Sequence, residues 1–413
     1  MSKFHKISEY CEVYDGPHAT PKESDKGPVY LGIKAITEQG RIDSSQFKYL
    51  SDEDYVKWTK RVTPEANDIV FSYEATLGRY AIIPEGFHGC LGRRLAIVRV
   101  KDTNKLNYKY LYYYFLSPAW KAFISNHTVS GSTVDRISID EFPNYEIQVP
   151  EIEMQNKIVN ILDSIDTRID INLKTINVLE SMAKTLYDYW FVQFDFPDAN
   201  GRPYKTSGGK MEWNETLSRE IPAGWEVDNL FRIASYVNGL ACQKYRPQGN
   251  EESLPVIKIR EMHEGVRPDT ERVSANIPLD NVICDGDILF SWSATLEIQY
   301  WTGGKAGLNQ HIFKVIPFED IPKEYVYHQL KEYIVNFVKI AEARKTTMGH
   351  ITQDHLKFSR IVIPPYEVLR RFEERMKPIH KQMVKCNQGN RKLISLRDFL
   401  LPMLMNGQVT FCQ

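Results

Sequence analysis

The chain has 413 residues, of which 42% are hydrophobic and 12% aromatic, and its 52 Lys and Arg nearly balance its 53 Asp and Glu. This composition excludes a disordered chain, and the length exceeds the roughly 250 to 300 residues at which single cores stop growing, so we expect more than one domain. The near-neutral net charge argues against a uniformly basic nucleic-acid binder, although one basic face would be compatible with it.

The sequence contains no run of about 18 apolar residues, which excludes a membrane-spanning segment. The first residues, MSKFHK, lack the apolar stretch of a signal peptide, so we expect a cytoplasmic protein. Six scattered cysteines, with no Cys-x-x-Cys pair and no histidine spacing suited to zinc, predict buried free thiols and no metal site.

Residues 1–150 are predicted to form a globular domain. Short β-type runs broken by turn residues predict a small mixed sheet, with strands at Val29–Ile33, Asp68–Ser72, Tyr80–Ile83, Leu95–Val100 and Tyr145–Val149. A helix is predicted at Tyr108–Ser125, followed by a polar loop at Val129–Thr133. Pro150 ends the unit.

Residues 151–193 predict one long helix. Its apolar positions alternate by three and four residues, which is the pattern of a coiled-coil seam; the seam consists of Leu162, Ile165, Ile169, Asn172, Ile176, Leu179, Ala183, Leu186 and Trp190. Residues 194–223 are rich in Pro, Gly, Asn, Ser and Lys, and we interpret them as a linker.

The second half of the chain repeats the first. Asp68–Leu77 (DIVFSYEATL) returns as Asp287–Leu296 (DILFSWSATL). Other equivalent segments keep the same order, at separations between 214 and 219 positions: Leu91–Leu95 with Leu308–Ile312, Ile137–Asp140 with Ile351–Asp354, and Val149–Pro150 with Ile363–Pro364. Two copies of one module suit a bipartite or two-fold symmetric partner, and duplex DNA is such a partner.

The repeat predicts a second globular domain at residues 224–363 and a second long helix at 364–413. Its expected strands lie at Pro255–Ile259, Ile288–Ser291, Ile312–Ile316 and Arg360–Ile363, with a helix near Tyr325–Glu342. The second, weaker seam contains Met376, Ile379, Met383, Cys386, Asn390, Leu393, Arg397, Leu400 and Leu404. If a two-fold axis relates the halves, the two helices pair antiparallel.

One polar residue interrupts the middle of each seam, Asn172 in the first and Asn390 in the second. Either these asparagines are buried and penalise wrong registers, or they mark a solvated gap.

No catalytic motif stands out. Ile363-Pro-Pro-Tyr366 resembles the Pro-Pro-aromatic loop of DNA amino-methyltransferases, but an isoleucine, which cannot accept a hydrogen bond, occupies the required acceptor position. No glycine-rich dinucleotide fingerprint, Walker motif or His-Glu-x-x-His occurs. Asp68, Glu74 and Lys60 could be proposed as a nuclease cluster, but the repeat replaces Glu74 by Ser293, which favours a scaffold or surface role.

Side chains able to hydrogen-bond base edges and phosphates are concentrated in loops at equivalent places of the two copies. In the first copy the candidates for DNA contact are His18, Thr20, Tyr73, Thr76, Arg79, Arg93, Arg94, Ser132, Thr133 and Arg136. In the second they are Lys244, Arg246, Trp292, Thr295, Asn309, Gln310, His311, Lys345, Thr346 and Thr347. Arg93-Arg94 opposite Gln310-His311 is the most informative pair, because equivalent positions differ in hydrogen-bonding capacity, as two different half-sites require.

The order of these units resembles the specificity subunit of type I restriction-modification systems over essentially the whole chain. The resemblance is carried by the architecture and by the segments Gly131–Ser138, Glu153–Gln155, Leu186–Phe191, Gly224–Val227 and Leu400–Gly407. The chain departs from the family pattern at two places. The first unit does not begin with a Gly-Trp pair, and the second seam is weak from Cys386 to Arg397.

The resemblance implies an α/β (α+β) tandem duplication: two globular mixed-sheet target-recognition domains joined by two long helices that form an antiparallel coiled coil. It implies that each domain reads half of a bipartite asymmetric DNA target, and that the coiled coil sets the gap. Catalysis would belong to the partners, namely two methylation subunits using S-adenosylmethionine and restriction subunits driven by ATP with Mg²⁺; this chain would bind no cofactor. The alternatives are a self-contained DNA methyltransferase or nuclease, and a coiled-coil assembly scaffold.

Overall fold

The computed structural model describes residues 3–128, 135–293, 295–343, 351 and 353–409. The chain divides into two compact units, unit 1 with residues 1–167 and 393–413, and unit 2 with residues 168–392.

Unit 1 contains nine described strands and the start of a long helix. The strands are β1 Lys3–Lys6, β2 Cys11–Asp15, β3 Ser24–Leu31, β4 Lys48–Tyr49, β5 Ile69–Ser72, β6 Tyr80–Ile82, β7 Gly89–Leu91, β8 Leu95–Val100 and β9 Glu146–Val149. The helices are α1 Ile7–Tyr10, α2 Asp52–Trp58, α3 Tyr108–Leu116, α4 Pro118–Asn126 and the long α5 Ile152–Tyr187, whose first part lies in this unit.

The strands of unit 1 form a mixed arrangement. A four-stranded antiparallel sheet has the order β2-β8-β5-β6, and a three-stranded sheet has the order β4-β3-β7 with β3 and β7 parallel. The first strand, β1, pairs antiparallel with β9, the last strand of the unit. The predicted mixed sheet is therefore present as two neighbouring sheets and a two-stranded ribbon.

The predicted helix Tyr108–Ser125 is instead two helices, because Ser117 and Pro118 interrupt it. Ser117 is the N-cap of α4, where its hydroxyl accepts from the backbone N–H of Trp120 at 3.3 Å, and Pro118 occupies the first turn. Proline has no N–H to continue α3 but is well suited to the start of a helix. The break directs Trp120 into the core, where its indole N–H donates to the Tyr80 hydroxyl at 2.8 Å.

Unit 2 contains twelve described strands. They are β10 Met211–Asn214, β11 Arg219–Pro222, β12 Glu226–Asn229, β13 Ala234–Asn238, β14 Ser253–Ile257, β15 Arg272–Ser274, β16 Val282–Ile283, β17 Ile288–Ser291, β18 Glu297–Tyr300, β19 Ala306–Leu308, β20 Ile312–Pro317 and β21 Arg360–Ile363. The helices are α6 Ile259–Glu264, α7 Lys323–Ala343, α8 Gln353–Phe358 and the long α9 Tyr366–Met405, whose last part lies in unit 1.

Unit 2 repeats the topology of unit 1. Its four-stranded sheet, β13-β20-β17-β18, matches β2-β8-β5-β6, and the parallel pair β14–β19 matches β3–β7. The strand pair β12–β21 matches β1–β9. The predicted tandem duplication is confirmed at the level of strand order.

Residues 194–223 differ from a simple linker. Strands β10 and β11 form a hairpin, and the aromatic rings of Phe194 and Phe196 are buried against Trp225. The Asp195 carboxylate accepts from the backbone N–H of Thr206 at 2.8 Å. The many polar and glycine residues of this segment concealed the few aromatic ones that attach it to the core of unit 2.

In unit 2 the long helices run antiparallel. Near one end of the contact Tyr187 of α5 packs against Phe372 of α9, and further along the Asn172 side-chain amide donates to the Asn390 side-chain oxygen at 2.7 Å. Both asparagines are buried, so they are a paired polar layer and not a solvated gap. In unit 1, Asp166 of α5 and Arg397 of α9 form an ion pair at 3.0 Å.

The predicted seam is largely the buried face of these helices. Most of its members are buried: Leu162, Ile165, Ile169, Asn172, Ile176, Met376, Met383, Cys386 and Asn390. Leu179, Ile379 and Leu393 are half-buried. The expected pair of coiled-coil helices is therefore present.

Four of the described cysteines, Cys11, Cys90, Cys242 and Cys386, are buried free thiols as expected, but Cys284 is exposed. It lies in the turn before β17, where the Asp287 carboxylate accepts from its backbone N–H at 2.8 Å. Within the described ranges, no helix is long and apolar enough to cross a membrane.

Candidate nucleic-acid interface

The ends of strands β5 and β17 carry the same backbone frame. The Tyr73 N–H donates to the Arg94 carbonyl at 3.2 Å, and the Tyr73 carbonyl accepts from Ile137 at 2.8 Å. In unit 2, the Trp292 N–H donates to the His311 carbonyl at 3.3 Å, and the Trp292 carbonyl accepts from Ile351 at 3.0 Å. Tyr73 is therefore equivalent to Trp292, and Arg94 to His311.

A second shared feature fixes one turn in each unit, between β7 and β8 in unit 1 and between β19 and β20 in unit 2. We name residues 92–94 turn A and residues 309–311 turn B. The first N–H of each turn donates to the neighbouring parallel strand, from Gly92 to the Leu31 carbonyl at 2.8 Å and from Asn309 to the Ile257 carbonyl at 3.1 Å. Turns A and B are thus matched residue by residue.

A glycine packs against each turn. The Gly16 N–H donates to the Leu95 carbonyl and the Gly239 N–H to the Ile312 carbonyl, both at 3.0 Å. A Cβ atom at Gly16 would lie 2.5 Å from the Leu95 oxygen, and one at Gly239 would lie 2.1 Å from the Asn309 oxygen. Only glycine permits this approach of the loop to the turn.

In unit 1 the structure brings Tyr73, Arg94 and Arg136 together. The Arg94 side chain forms an ion pair with Glu74 at 3.0 Å, and Glu74 in turn makes a backbone bridge to Arg136. Arg94 has φ 75°, a left-handed conformation that is unusual for a non-glycine residue. Tyr73 is buried, and this burial raises the pKa of its hydroxyl.

The other described candidates of unit 1 lie at three further places. His18 is paired with Asp15 at 2.8 Å, next to the exposed Thr20. Arg79 donates to the Ile36 carbonyl at 3.0 Å and, with Thr76, lines a cleft of about 500 Å³. Arg93 is exposed on turn A.

In unit 2 the candidates of turn B form a connected cluster. The rings of Trp292 and His311 are 5.6 Å apart, and the Gln310 Nε2 atom lies 3.4 Å from the His311 Nε2 atom. The buried Asn309 accepts from the His311 N–H at 3.4 Å. Gln310 also links turn B to the preceding loop, since its N–H donates to the Leu240 carbonyl at 2.9 Å.

Lys244 and Arg246 are exposed in the loop that begins at Leu240, and Thr295 is exposed after β17. The structure does not join these three side chains to turn B. Five candidates lie outside the described residues: Ser132, Thr133, Lys345, Thr346 and Thr347.

Asp68, considered above as a nuclease carboxylate, has a structural role. Its side chain is 2% exposed, forms an ion pair with Arg99 at 2.7 Å and accepts from the Glu65 N–H at 2.8 Å. The equivalent Asp287 is paired with Lys314 at 3.3 Å and accepts from the Cys284 N–H at 2.8 Å. Both aspartates therefore hold a turn to its strand. Among the residues described, no cluster of three or more His, Cys, Asp or Glu side chains is suited to a metal ion.

Two polar residues near the unit 1 loops were missed by the sequence reasoning. Arg61 lies 3.5 Å from Asp15, and the Tyr30 hydroxyl accepts from the Arg93 N–H at 3.1 Å. Arg61 lies outside the segments that the repeat preserves, and Tyr30 was predicted only as part of the strand Val29–Ile33.

Comparison with known proteins agrees with this arrangement. A family model described as type I restriction modification DNA specificity domain matches residues 3–181. The HindI specificity subunit of Haemophilus influenzae is 22% identical, covering 80% of this chain and 84% of its own. The MjaIX specificity subunit of Methanocaldococcus jannaschii is 23% identical, covering 98% of this chain and 89% of its own.

The fold also matches a solved structure. The S subunit of the type I restriction-modification system from M. genitalium aligns with a TM-score of 0.53 and 14% identity, covering 97% of this chain and 95% of that chain. This likeness shows a shared fold along the two units and their long helices. Together with the matched domain and the near full-length relatives, it leads to one conclusion: residues 3–181 match a type I restriction modification DNA specificity domain, and the whole chain is similar to the specificity subunits of type I restriction enzymes.

Proposed function

We propose that this chain selects the DNA sequence for a type I restriction-modification complex, with each unit reading one half of a bipartite asymmetric target. The observation that carries the proposal is the pair of matched turns. The backbone frame is the same in turn A and turn B, whereas the side chains are Gly92, Arg93 and Arg94 in one and Asn309, Gln310 and His311 in the other. A shared frame with different hydrogen-bonding groups suits two different half-sites.

Residues 1–150 and 224–363 would be the two target-recognition domains in this proposal. Residues 151–193 and 364–413 would be the spacer helices, with 194–223 connecting the copies. Helix α5 has 36 residues and is therefore about 54 Å long at ~1.5 Å per residue. A rigid helix of this length can set the gap between half-sites, because DNA advances ~34 Å per turn.

The partners follow from the same proposal. Double-stranded DNA would be bound by the two recognition domains, while two methylation subunits would supply S-adenosylmethionine chemistry on a flipped base. Restriction subunits driven by ATP with Mg²⁺ would complete the complex, in the cytoplasm. This chain would contribute recognition and positioning.

The test uses the chain alone and the chain reconstituted with its methylation subunits. Both samples are incubated with S-adenosylmethionine and a library of random duplexes, and the methylated motifs are sequenced. We expect one bipartite motif with a constant gap, obtained only with the complex. Methylation or cleavage by the chain alone would support the self-contained enzyme, and a complex indifferent to DNA sequence would support the scaffold.

A further inference from the structure

The middle residues of the matched turns differ in the base that they can recognise. Residue 92 corresponds to 309, because both N–H groups donate to the parallel neighbour strand, and residue 94 corresponds to 311, because both carbonyls accept from the end of β5 or β17. Arg93 therefore corresponds to Gln310. We infer that Arg93 reads a guanine in the half-site of unit 1 and Gln310 reads an adenine in the half-site of unit 2; this inference rests on the proposed function.

The backbone of Arg93 is held in place, whereas its side chain is exposed. Its N–H donates to the hydroxyl of the buried Tyr30 at 3.1 Å, and its two neighbours are held by the backbone bonds of turn A. The side chain is exposed, and the described part of the structure gives its guanidinium no hydrogen bond or ion pair. A guanidinium presented in this way can donate two hydrogen bonds to the O6 and N7 atoms of guanine.

The adjacent arginine differs from Arg93 in this respect. The Arg94 Nε atom is 3.0 Å from Glu74, and only 30% of the Arg94 side chain is exposed. This ion pair holds the guanidinium against the protein, and the left-handed φ of Arg94 turns the chain back into β8. Arg94 is therefore a positioning residue for turn A, and Arg93 is the residue that faces outward.

Gln310 has hydrogen-bonding capacity that the described residues leave unused. Its Oε1 atom is buried, and none of the described residues hydrogen-bonds to it. Buried carbonyl oxygens in proteins are nearly always paired, so Gln310 keeps an acceptor that a ligand can use once the side chain turns outward. The adenine edge does so: its N6 amino group donates to a glutamine oxygen, and its N7 atom accepts from the glutamine amide.

His311 prepares Gln310 for this role. The His311 Nε2 atom lies 3.4 Å from the Gln310 Nε2 atom and accepts from this amide in the tautomer that carries its proton on Nδ1. The His311 Nδ1 atom is buried too, with no hydrogen-bond partner in the part of the chain that the structure describes. The ring of Trp292 packs 5.6 Å from the His311 ring and restricts it. Rotation of the half-buried Gln310 side chain toward solvent presents its amide to a base while His311 stays in place.

The inference is tested with the reconstituted complex of this chain and its methylation subunits. The variants are Arg93→Gln, Gln310→Arg and the double exchange. Binding is measured on duplexes in which each base pair of the target is changed in turn, and methylated motifs are sequenced from a random library.

We expect Arg93→Gln to lose about ten- to hundredfold discrimination at one G·C position of one half-site. Gln310→Arg should change the preference from A·T to G·C at one position of the other half-site. The double exchange should combine both effects. The remaining positions should keep their preferences.

Two controls reproduce the charge changes away from the turns. Lys105→Gln removes a positive charge from a side chain that is 71% exposed in unit 1, and Gln193→Arg adds one at an exposed site in unit 2. Neither should change any base preference. Melting temperatures close to that of the unaltered chain would establish that the variants fold.

The outcomes separate this inference from the proposed function. A complex with a clear motif that Arg93→Gln and Gln310→Arg leave unchanged would overturn the inference and keep DNA recognition. Equal weakening on every duplex, as for loss of a phosphate contact, would also overturn it. An unaltered complex with no sequence preference at all would instead refute the proposed function.

Discussion

Asp68 and Asp287 occupy the same position in the two units, directly before β5 and β17, and the carboxylate of each accepts from a backbone N–H of the preceding turn. The Asp68 carboxylate, a member of the possible nuclease cluster, is therefore explained by its ion pair with Arg99 and its hydrogen bond to the Glu65 backbone.

At another equivalent pair of positions the two units have different side chains. Tyr113 donates to Asp166 at 2.8 Å in unit 1, whereas unit 2 has His328 and His380, with their Nε2 atoms 3.2 Å apart.

Replacing Asp68 by alanine should destabilise the chain by about 3 kcal/mol, because it leaves Arg99 without the buried partner of its ion pair. Urea unfolding measures this change. Glu65→Ala is the matched control, since Glu65 pairs with the same Arg99 but is 64% exposed and should cost less than about 1 kcal/mol. Equal losses in the two variants would contradict the structural role of Asp68.

Because His328 and His380 are buried, we expect the free energy of unfolding to decrease as the pH falls. Burial lowers the pKa of His328 to about 3 and that of His380 to about 4, whereas imidazoles in the unfolded chain titrate near 6.5. The unfolded state therefore takes up protons first. The stability that comes from keeping both imidazoles neutral is fully present above about pH 6.5. At lower pH the free energy of unfolding decreases by about 1 kcal/mol per pH unit for each imidazole. Burial raises the pKa of the nearby Glu324, which offsets part of this loss in acid.

Urea unfolding between pH 7.5 and 5 measures this slope. The double variant His328→Gln/His380→Gln should flatten it. His263→Gln changes an imidazole of the same unit that is 46% exposed, and this variant should keep the slope. A slope that persists in the double variant would show that other groups cause it.

Secondary-structure elements differ in how their ends are set. Ser117 and Pro118 end α3 and begin α4 by local chemistry alone, although the predicted helix Tyr108–Ser125 ran across this break. The pairing of α5 with α9 depends on side chains far apart in the chain, and Asn172 with Asn390 forms its buried polar layer. Gly389 lies beside this layer, where a Cβ atom would be 3.5 Å from the Asn172 amide nitrogen.

Replacing only Asn172 by leucine should destabilise the helix pair by about 1 to 3 kcal/mol, because the Asn390 amide is then buried without a partner. The double variant Asn172→Leu/Asn390→Leu should recover this stability, since an apolar layer has no unpaired group. A double-mutant cycle by thermal unfolding gives the coupling energy. If the two single effects simply add in the double variant, the asparagines do not interact as the structure shows.

Considered as one molecule, the chain uses the same topology twice and joins the copies by long helices. Each unit has its own core, with Trp120 and Phe115 central in unit 1 and Trp190 and Phe290 in unit 2. Matched frames and separate cores allow the loops of one unit to change without affecting the other. This independence is what a subunit with two separate half-sites requires.

The proposed spacer role predicts a change of gap. Deleting residues 172–178 from α5 and 384–390 from α9 removes one heptad from each helix and keeps the seam in phase. The helices then shorten by ~10 Å, and we expect the gap of the methylated motif to shrink by about three base pairs. Sequencing of methylated sites reads the gap. Insertion of seven residues after Gly249, in a loop, is the control and should leave the gap as it was; an unchanged gap in the deletion variant would refute the spacer role.

Much of the fold was predictable because it depends on local or repeated patterns. The heptad spacing from Leu162 to Trp190 is a property of one helix, and the return of DIVFSYEATL as DILFSWSATL reveals the duplication without any structure. The candidate DNA-contact residues were predicted only as a set of loop side chains, and they stay predictions.

The sequence by itself therefore determined the number of copies, the positions of their main strands along the chain and the apolar face of each long helix, because these follow from periodicity and internal comparison. Tertiary structure alone decided that Phe194 and Phe196 attach the connecting segment to unit 2, and that His328 meets His380. It also decided that Arg94 is held by Glu74 while Arg93 faces outward. These outcomes depend on which distant residues are brought into contact, and a local pattern carries no information about them.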